Sequence, residues 1–423
     1  MTIEFEAPKP IVQSQFVLKT VAEEMMRPSS RYFDEHEHEI PWEYIEFMHT
    51  AIKSLGGGSL IPNENGIDVL ERSEKKEKHQ PIGYQLLASQ IETLAWGDVG
   101  MYLNTPGGGL GAAAVQSAAT PEQKDKFLAR FGGEKPTFAA MSMTEPSAGS
   151  DTSAIQTRAE LDENTMEWVI NGEKIFVTGG DKSVTHYEKL GKGFIVVWAS
   201  IDRSAGRSGM RGFVVESGTP GIRVVKLERK MGIRVSDTAA ISLQNVHVPY
   251  DHILGSPTIE KGSKGFKGAM ATFDATRPLV AASGLGVARA ALEFLVDKLA
   301  ENEVHIRYGL PRQKLTNIER EVIDMEIMLK SAWLMVLKAV WMADNKQANA
   351  LEASMCKVKA GDVTMKVTQK TVELLGPLGY SREFLVEKWF RDAKITDIYE
   401  GTGQINRLVV ARHILGYSGS ELR

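Results

Sequence analysis

Ile398-Tyr399-Glu400-Gly401-Thr402-Gly403-Gln404-Ile405-Asn406-Arg407 is a stretch in which one helix ends and another begins. Upstream, Phe384 to Lys394 carries apolar residues at helical spacing, and Gly401 and Gly403 then interrupt the pattern. Thr402 can cap a new helix running through Leu408, Val409 and Ile414. Glu400 is thereby held at a bend and not on a solvated helix face. Taken alone, a glutamate beside two glycines reads as a surface turn. The rest of the chain changes that reading.

Working outward, Lys264–Glu301, Leu351–Leu375 and Phe384–Lys394 read as helices, and Gln404–Leu415 follows the bend. Ile318, Val322, Met325, Leu329, Trp333, Val336 and Val340 step by three or four, which is one face of a further long helix. Long helices joined by short loops predict a bundle over residues 251–423. Ahead of Pro249 the period changes. Phe138–Met143, Trp168–Ile170, Lys174–Thr178, Phe194–Ala199, Gly212–Glu216, Ile222–Leu227 and Ala240–Val248 are short and rich in β-branched or aromatic residues. Asn171-Gly172, between the second and third of these, predicts a hairpin turn. No helix-length pattern alternates with the strands. Residues 137–250 are therefore expected to form an antiparallel, barrel-like β domain and not a doubly wound sheet. Residues 1–136 read mainly as helices. Ile11, Phe16, Val17, Val21 and Met25 mark one, Trp42, Ile45, Phe47 and Ile52 a second, and Gln85–Val99 a third. Pro121 opens a fourth at its favoured first position. The expectation is an α+β multidomain protein in the order helices, strands, helices.

Length and composition agree. At 423 residues the chain exceeds what one core usually supports, so two or three domains are expected. A content of 43% hydrophobic and 25% charged residues is that of a globular protein. A net charge of −4 offers no basic excess for neutralising nucleic-acid phosphates. The single cysteine, Cys356, excludes a disulfide framework within the chain and a cysteine-cluster zinc site, and its apolar helical run predicts a buried, inert thiol. No basic segment followed by an apolar one opens the chain, and runs such as Gly193–Ser200 are too short to span a bilayer. A soluble, cytoplasmic protein is expected, with a mitochondrial matrix location after processing left open.

Four stretches resemble functional features and read better otherwise. His36-Glu37-His38-Glu39 could hold a metal, but alternation in an acidic stretch more often faces solvent, and no metal site is expected. Asn104–Ala114 is glycine-dense but lacks the Lys-Ser/Thr pair of a phosphate cradle. Gly284-Leu285-Gly286 resembles a dinucleotide fingerprint, yet it lies inside a helical pattern and lacks the third small residue, so helix packing explains it better. Glu71–His79 is a mixed charge run and reads as a solvated loop.

Three separated motifs, in order, resemble those of the acyl-CoA dehydrogenases. They are Met143-Thr-Glu-Pro-Ser-Ala-Gly-Ser-Asp151, Ile170-Asn-Gly-Glu-Lys-Ile-Phe-Val-Thr178 and Asp397-Ile-Tyr-Glu-Gly-Thr-Gly-Gln404. Lys230–Thr238 and Phe273–Pro278 add further matches. The resemblance runs from about residue 84 to 416 and more weakly over the N-terminal helices. It implies an N-terminal helical domain, a central β domain and a C-terminal helical bundle, with FAD as cofactor and an acyl-CoA as substrate. Oxidising a saturated acyl thioester at its α and β carbons needs a base for the α-proton and an acceptor for the β-hydride, and side chains alone cannot supply the acceptor.

By the resemblance, Glu400 is the base, and its backbone N–H helps to stabilise the enolate-like thioester oxygen. Met141 and Thr144 lie along the flavin. Phe176 covers its ring, where the family usually has tryptophan, and Thr178 bonds its reactive edge. Thr402 and Gln404 touch the cofactor just beyond the base. Ser150 and Gly401 contact the thioester, with Asp274 and Arg277 nearby. Electrons are expected to pass to an electron-transfer flavoprotein. The reverse reaction, reduction of an enoyl-CoA, uses the same residues, and an oxidase handing electrons to oxygen is a further alternative. A silent structural subunit is the rival from another class, and an intact Glu400 argues against it.

Two departures fall where the family's neighbouring subunit contacts the FAD pyrophosphate. His305 stands at the position of an arginine, with Arg307 displaced by two residues. Glu373 and Pro377 replace a glutamine and a glycine, bringing negative charge and removing an N–H. Two readings stay open: a heterotetramer whose related partner supplies the missing groups, or a homotetramer in which Arg307 swings into place. Pro106–Gly111 puts little side-chain volume where the family lines its acyl pocket, which suggests a bulky, branched or cyclic acyl group.

Overall fold

The computed structural model describes residues 7–54, 81–259 and 265–417. The charged run Glu71–His79 lies outside the described residues. Ahead of the strands come α1 (Lys9–Val21), α2 (Arg27–Glu35), α3 (Trp42–Ser54), α4 (Gly83–Tyr102), α5 (Gly109–Ala118) and α6 (Pro121–Leu128). α4 is the hub of this group, and Ile91 through Met101 are all buried, as in a helix packed on every side. It kinks at Asp98 (φ −162°, ψ 117°), whose Oδ1 accepts from the Met101 N–H at 2.8 Å. α6 begins as its sequence predicts, with Pro121 in the first turn and a reciprocal capping box between Thr120 and Gln123.

β1 (Ala139–Ser142), β2 (Arg158–Asp162), β3 (Glu167–Thr178), β4 (Phe194–Ser200), β5 (Met210–Glu216), β6 (Ile222–Leu227) and β7 (Thr238–Pro249) form one curled sheet. The order is β1-β4-β2-β3-β7-β6, with β5 paired to β4 and a short helix, α7 (Gly180–Val184), after β3. Most pairings are antiparallel, as expected. β4 is the departure: it runs parallel to β1, with Ala139 opposite Phe194 and Ser142 opposite Val197, and meets β2 in parallel at Arg158 and Ser200. The β2–β3 ribbon between β1 and β4 gives the chain the length a parallel return needs. β4 is buried on both faces, which explains its unbroken apolar run. Ile195, Val197 and Ala199 enter one core, and Phe194, Val196 and Trp198 enter another.

The expected hairpin at Asn171-Gly172 is not there. β3 runs straight through it, with a shift of register against β7 between Ile170 and Gly172. Asn171 Oδ1 accepts from the Asn245 N–H at 2.8 Å, and a Cβ on Gly172 would lie 2.7 Å from Thr157 Cα. The pair thus builds a bulge with a close backbone approach, the other use of glycine in a strand. The turn falls earlier, between Asp162 and Glu167, where Asp162 Oδ1 accepts from the Asn164 N–H at 2.9 Å.

After the sheet come α8 (Gly265–Glu301), α9 (Asn317–Asp344), α10 (Ala350–Leu375), α11 (Pro377–Tyr380), α12 (Val386–Ala393) and α13 (Gly403–Leu415). The predicted stripe on α9 faces inward at Val322, Met325, Val336 and Val340, against Leu285, Leu292 and Leu295 of α8. Gly284 and Gly286 are packing glycines. A Cβ on Gly286 would lie 2.2 Å from the Glu92 carbonyl oxygen of α4, and one on Gly284 2.9 Å from Thr364 Oγ1 of α10. α8 is long and apolar enough to cross a membrane, but 72% of its most apolar window is buried within this bundle. Cys356 is fully buried, and burial pushes its thiol well above the ordinary range.

Candidate active site

Between the sheet and the helices lies a cavity of about 1950 Å³. Its sheet side includes Met141, Thr144, Ser150, Phe176 and Thr178, and its helical side Thr276, Arg277, Val280 and Ser283 of α8. Tyr399, Glu400, Gly401 and Thr402 close a third side. Nine of the eleven residues singled out from the sequence therefore line one cavity. The other two do not. Gln404 is exposed on the first turn of α13, and Asp274 stands behind Arg277, accepting from its Nη1 at 3.1 Å.

The bend at 398–402 has the local structure its sequence predicts. A turn of 3-10 helix over Lys394–Asp397 follows α12, and Thr402 caps α13, its hydroxyl accepting from the Ile405 N–H at 3.2 Å. Between them Glu400 has φ +54° and Gly401 φ +94°. Positive φ is ordinary for glycine and strained for glutamate, so neighbours must hold Glu400 there. The Gly401 carbonyl accepts from two side chains, Lys357 Nζ at 2.9 Å and Asn406 Nδ2 at 2.7 Å. Thr276 Oγ1 donates to Glu400 Oε2 at 2.5 Å. Burial raises the Glu400 carboxyl above its ordinary range, against the opposing pull of Thr276, Lys357 and Arg277.

Arg277 is 5% exposed, and its Nε is buried without a partner. Burial lowers its affinity for the proton, while Asp274 and Glu400 act the other way. Lys357 is 1% exposed, and burial brings its ammonium down to about 8 in spite of Asp397 and Glu400. The sequence reading missed Thr276 and Lys357. Thr276 lies inside the Phe273–Pro278 motif, one residue before Arg277, so position was its only signal. Lys357 sits in a helical run that otherwise reads as core, and a lysine in that register was the signal to follow.

On the sheet side, a buried ion pair fixes the first motif against the second. Lys174 Nζ lies 2.8 Å from Glu145 Oε1 and donates to the Met143 carbonyl at 3.1 Å. Glu145 also accepts from the Gln156 and Thr157 N–H groups, at 2.5 and 3.0 Å. Thr144 is tied directly to β3, its carbonyl accepting from the Ile175 N–H at 2.9 Å. Next to it the β3–β7 ladder shifts again between Lys174 and Val177. There Phe176 takes φ +56° and is 59% exposed on the cavity wall.

The glycine-rich stretch also reaches the cavity, through Pro106 to Gly109. Packing explains part of it: a Cβ on Gly108 would lie 1.9 Å from Ala112 Cβ, and one on Gly111 2.6 Å from Ala139 Cβ of β1. Glu37, from the His36–Glu39 run, accepts from the Lys230 N–H at 2.7 Å and pairs with Arg234 at 3.3 Å.

His305 and Arg307 lie on the exposed connection between α8 and α9. Arg307 is engaged: its Nε and Nη2 each lie 2.7 Å from the carboxylate of Glu319, and its N–H donates to the same group at 3.1 Å. Glu319 also closes the capping box of α9 with Thr316. Glu373 pairs with Lys370 at 2.6 Å and accepts from Gln369 at 3.0 Å, and Pro377 opens α11.

Residues 140–246 match the model of the acyl-CoA dehydrogenase middle domain, and residues 263–415 that of the acyl-CoA dehydrogenase C-terminal domain. The chain is 33% identical over 406 residues to an acryloyl-CoA reductase (NADH) of Anaerotignum propionicum, covering 94% of this chain and 95% of that one. Its structure resembles butyryl-CoA dehydrogenase of Megasphaera elsdenii, with TM-score 0.82, 30% identity and coverage of 98% and 100%. A chain in a structure of the electron transferring flavoprotein of Acidaminococcus fermentans is similar at TM-score 0.79 and 30% identity, with coverage of 98% and 100%.

Proposed function

Because the chain belongs to the acyl-CoA dehydrogenase family, we propose that it removes hydrogen across the α,β bond of a CoA thioester with Glu400 as the base. The enzyme class and the cofactor, FAD, follow from the family. The residues present fit FAD: Phe176 and Met141 offer apolar surface to a planar ring, and Thr144 and Thr178 stand beside them. Bound there, FAD supplies the hydride acceptor that no side chain provides. The observation that carries the proposal is Glu400 itself, a carboxylate on the cavity wall, held in a strained bend and hydrogen-bonded through one oxygen to Thr276.

The chain's own groups divide the work. Glu400 takes the α-proton onto its carboxylate, and burial makes it a stronger base than a solvated glutamate. Thr276 orients that carboxylate. Arg277, with Asp274 behind it, keeps a positive charge near the reacting end of the cavity. Replacing Glu400 by Gln keeps the shape and removes the base. The expected loss in kcat is about 10²–10⁴-fold with acyl-CoA binding retained, and near-normal turnover would refute the assignment.

For the acyl group we propose a short but wide one, branched or cyclic. Tyr84, Tyr102 and Tyr399 take up length in the wall, and the backbone of Gly107–Gly109 leaves breadth. Relatives named for acryloyl and butyryl groups support the short end. A panel of butyryl-, isobutyryl-, cyclohexanecarbonyl- and palmitoyl-CoA tests this; activity confined to straight chains overturns it.

The acryloyl-CoA reductase relative favours a second reading, in which the same site reduces an enoyl-CoA and Glu400 returns the proton to the α carbon. Rates measured in both directions on one purified sample decide between them. An electron-transfer flavoprotein is the proposed redox partner, supported by the likeness to a chain in such a structure. For assembly we favour a heterotetramer, because Arg307 is already held by Glu319 and is not free to replace His305. Native mass and flavin per chain, measured on the chain expressed alone, test that choice. A homotetramer with one flavin per chain sinks it.

A further inference from the structure

α10 carries a polar face into the centre of the bundle. Ser354, Lys357, Gly361 and Thr364 follow at helical spacing, all buried. Ser354 meets Arg277 at 3.4 Å, and Gly361 lets α10 approach the bend, where an added Cβ would lie 3.2 Å from Asp397 Oδ1. Lys357 is the charged member of this face. Among the described residues it has no carboxylate within salt-bridge distance, and its hydrogen bond goes to the Gly401 carbonyl. A buried ammonium without a paired carboxylate is costly, and a bundle core has no need of one.

The hydrogen bond alone does not account for it. Asn406 Nδ2 already donates to the same carbonyl, at the shorter distance of 2.7 Å. What Lys357 adds beyond Asn406 is charge. The groups that face Glu400 are Thr276 and Arg277 from α8, Tyr102 from α4, Lys357 from α10, and Tyr399 from its own segment; Asp397 faces Lys357 beyond salt-bridge distance. Arg277 and Lys357 are the cations among them. We propose that Lys357 is a positioning residue for Glu400, holding the Gly401 carbonyl in the bend and supplying the positive charge from α10 that keeps the carboxylate ionised. This rests on the reading of Glu400 as the base. In an apolar cavity without such a charge, Glu400 holds its proton and cannot accept one from the substrate.

The test is the pH dependence of kcat/KM for the FAD-loaded enzyme, with butyryl-CoA and ferricenium, or with whichever acyl-CoA of the panel above turns over fastest. In Lys357→Gln the acidic limb moves to higher pH by about one unit or more, a roughly tenfold loss on that limb that closes at alkaline pH. Lys357→Arg keeps the wild-type limb. Asn406→Ala, which removes a hydrogen bond and no charge, lowers kcat without moving the limb. An unmoved limb in Lys357→Gln, or an equal shift in Lys357→Arg, overturns the proposal. If Lys357→Gln does not accumulate as a folded flavoprotein, the two charge-retaining variants carry the test, and a displaced limb in either overturns it. Glu400→Gln runs alongside: full activity there indicts the assignment of the base and not the role of Lys357.

Discussion

Lys174 Nζ and Glu145 Oε1 lie 2.8 Å apart with both side chains buried, and the pair joins two motifs that flank the cavity. Glu145 also gathers the Gln156 and Thr157 N–H groups, so one carboxylate organises the whole loop from Met143 to Thr157. Lys174→Met leaves that carboxylate buried and uncompensated, at a cost of about 3–5 kcal/mol. The double variant with Glu145→Gln should recover part of the loss. Urea midpoints of both variants, with flavin content measured beside them, check this. A Lys174→Met midpoint equal to wild type contradicts it.

Gly401 should tolerate no side chain. At φ +94° an L-residue is strained by about 1–3 kcal/mol, and an added Cβ would lie 3.2 Å from Asn406 Nδ2. Gly401→Ala should therefore lose stability by that amount and lose kcat more than it raises KM, because the bend positions the base. An unchanged kcat would show that the bend can relax without moving Glu400.

Arg307 and Glu319 make a third case. Glu319 binds the guanidinium through both oxygens and also caps α9, and these contacts hold its carboxyl well below the ordinary range. Glu319→Ala should lower stability slightly, because it removes the N3 half of the capping box with Thr316, and leave Arg307 free. If a guanidinium on this connection can complete a neighbour's cofactor site, flavin per chain rises in that variant and rises further in His305→Arg. No change in either would assign the connection no part in cofactor retention. Thermal melts and absorbance spectra supply both readings.

Much of this site was legible in the sequence because its signals are local. Thr402 as a cap, the break at Gly401 and the helices on either side depend on a few neighbours, and the bend formed as its residues predict. The failures have a common cause in distance along the chain. Asn171-Gly172 carries a hairpin signature, but Thr157 and Asn245 draw the strand on and turn the pair into a bulge. β1 and β4 pair in parallel because a whole ribbon intervenes, which no window of ten residues can see. Lys357 and Thr276 read as helix interior, since their partners, Gly401 and Glu400, come 44 and 124 residues later.

Glu400 itself should be a liability to the fold. Its carboxyl titrates at higher pH in the folded protein than in the unfolded chain, with burial as the main cause. A raised carboxyl means that the folded state binds more protons between the two values. Stability therefore falls as pH rises through that window, and the penalty is complete above it. Glu400→Gln cannot ionise and keeps an acceptor for Thr276. The variant should melt at a higher temperature than wild type at pH 8, and the gap should close as pH falls toward the ordinary carboxylate range. Melting curves of the FAD-loaded proteins at several pH values measure this directly. A wild type as stable as Glu400→Gln at pH 8 would mean that Lys357, Arg277 and Thr276 fully offset the burial of the base.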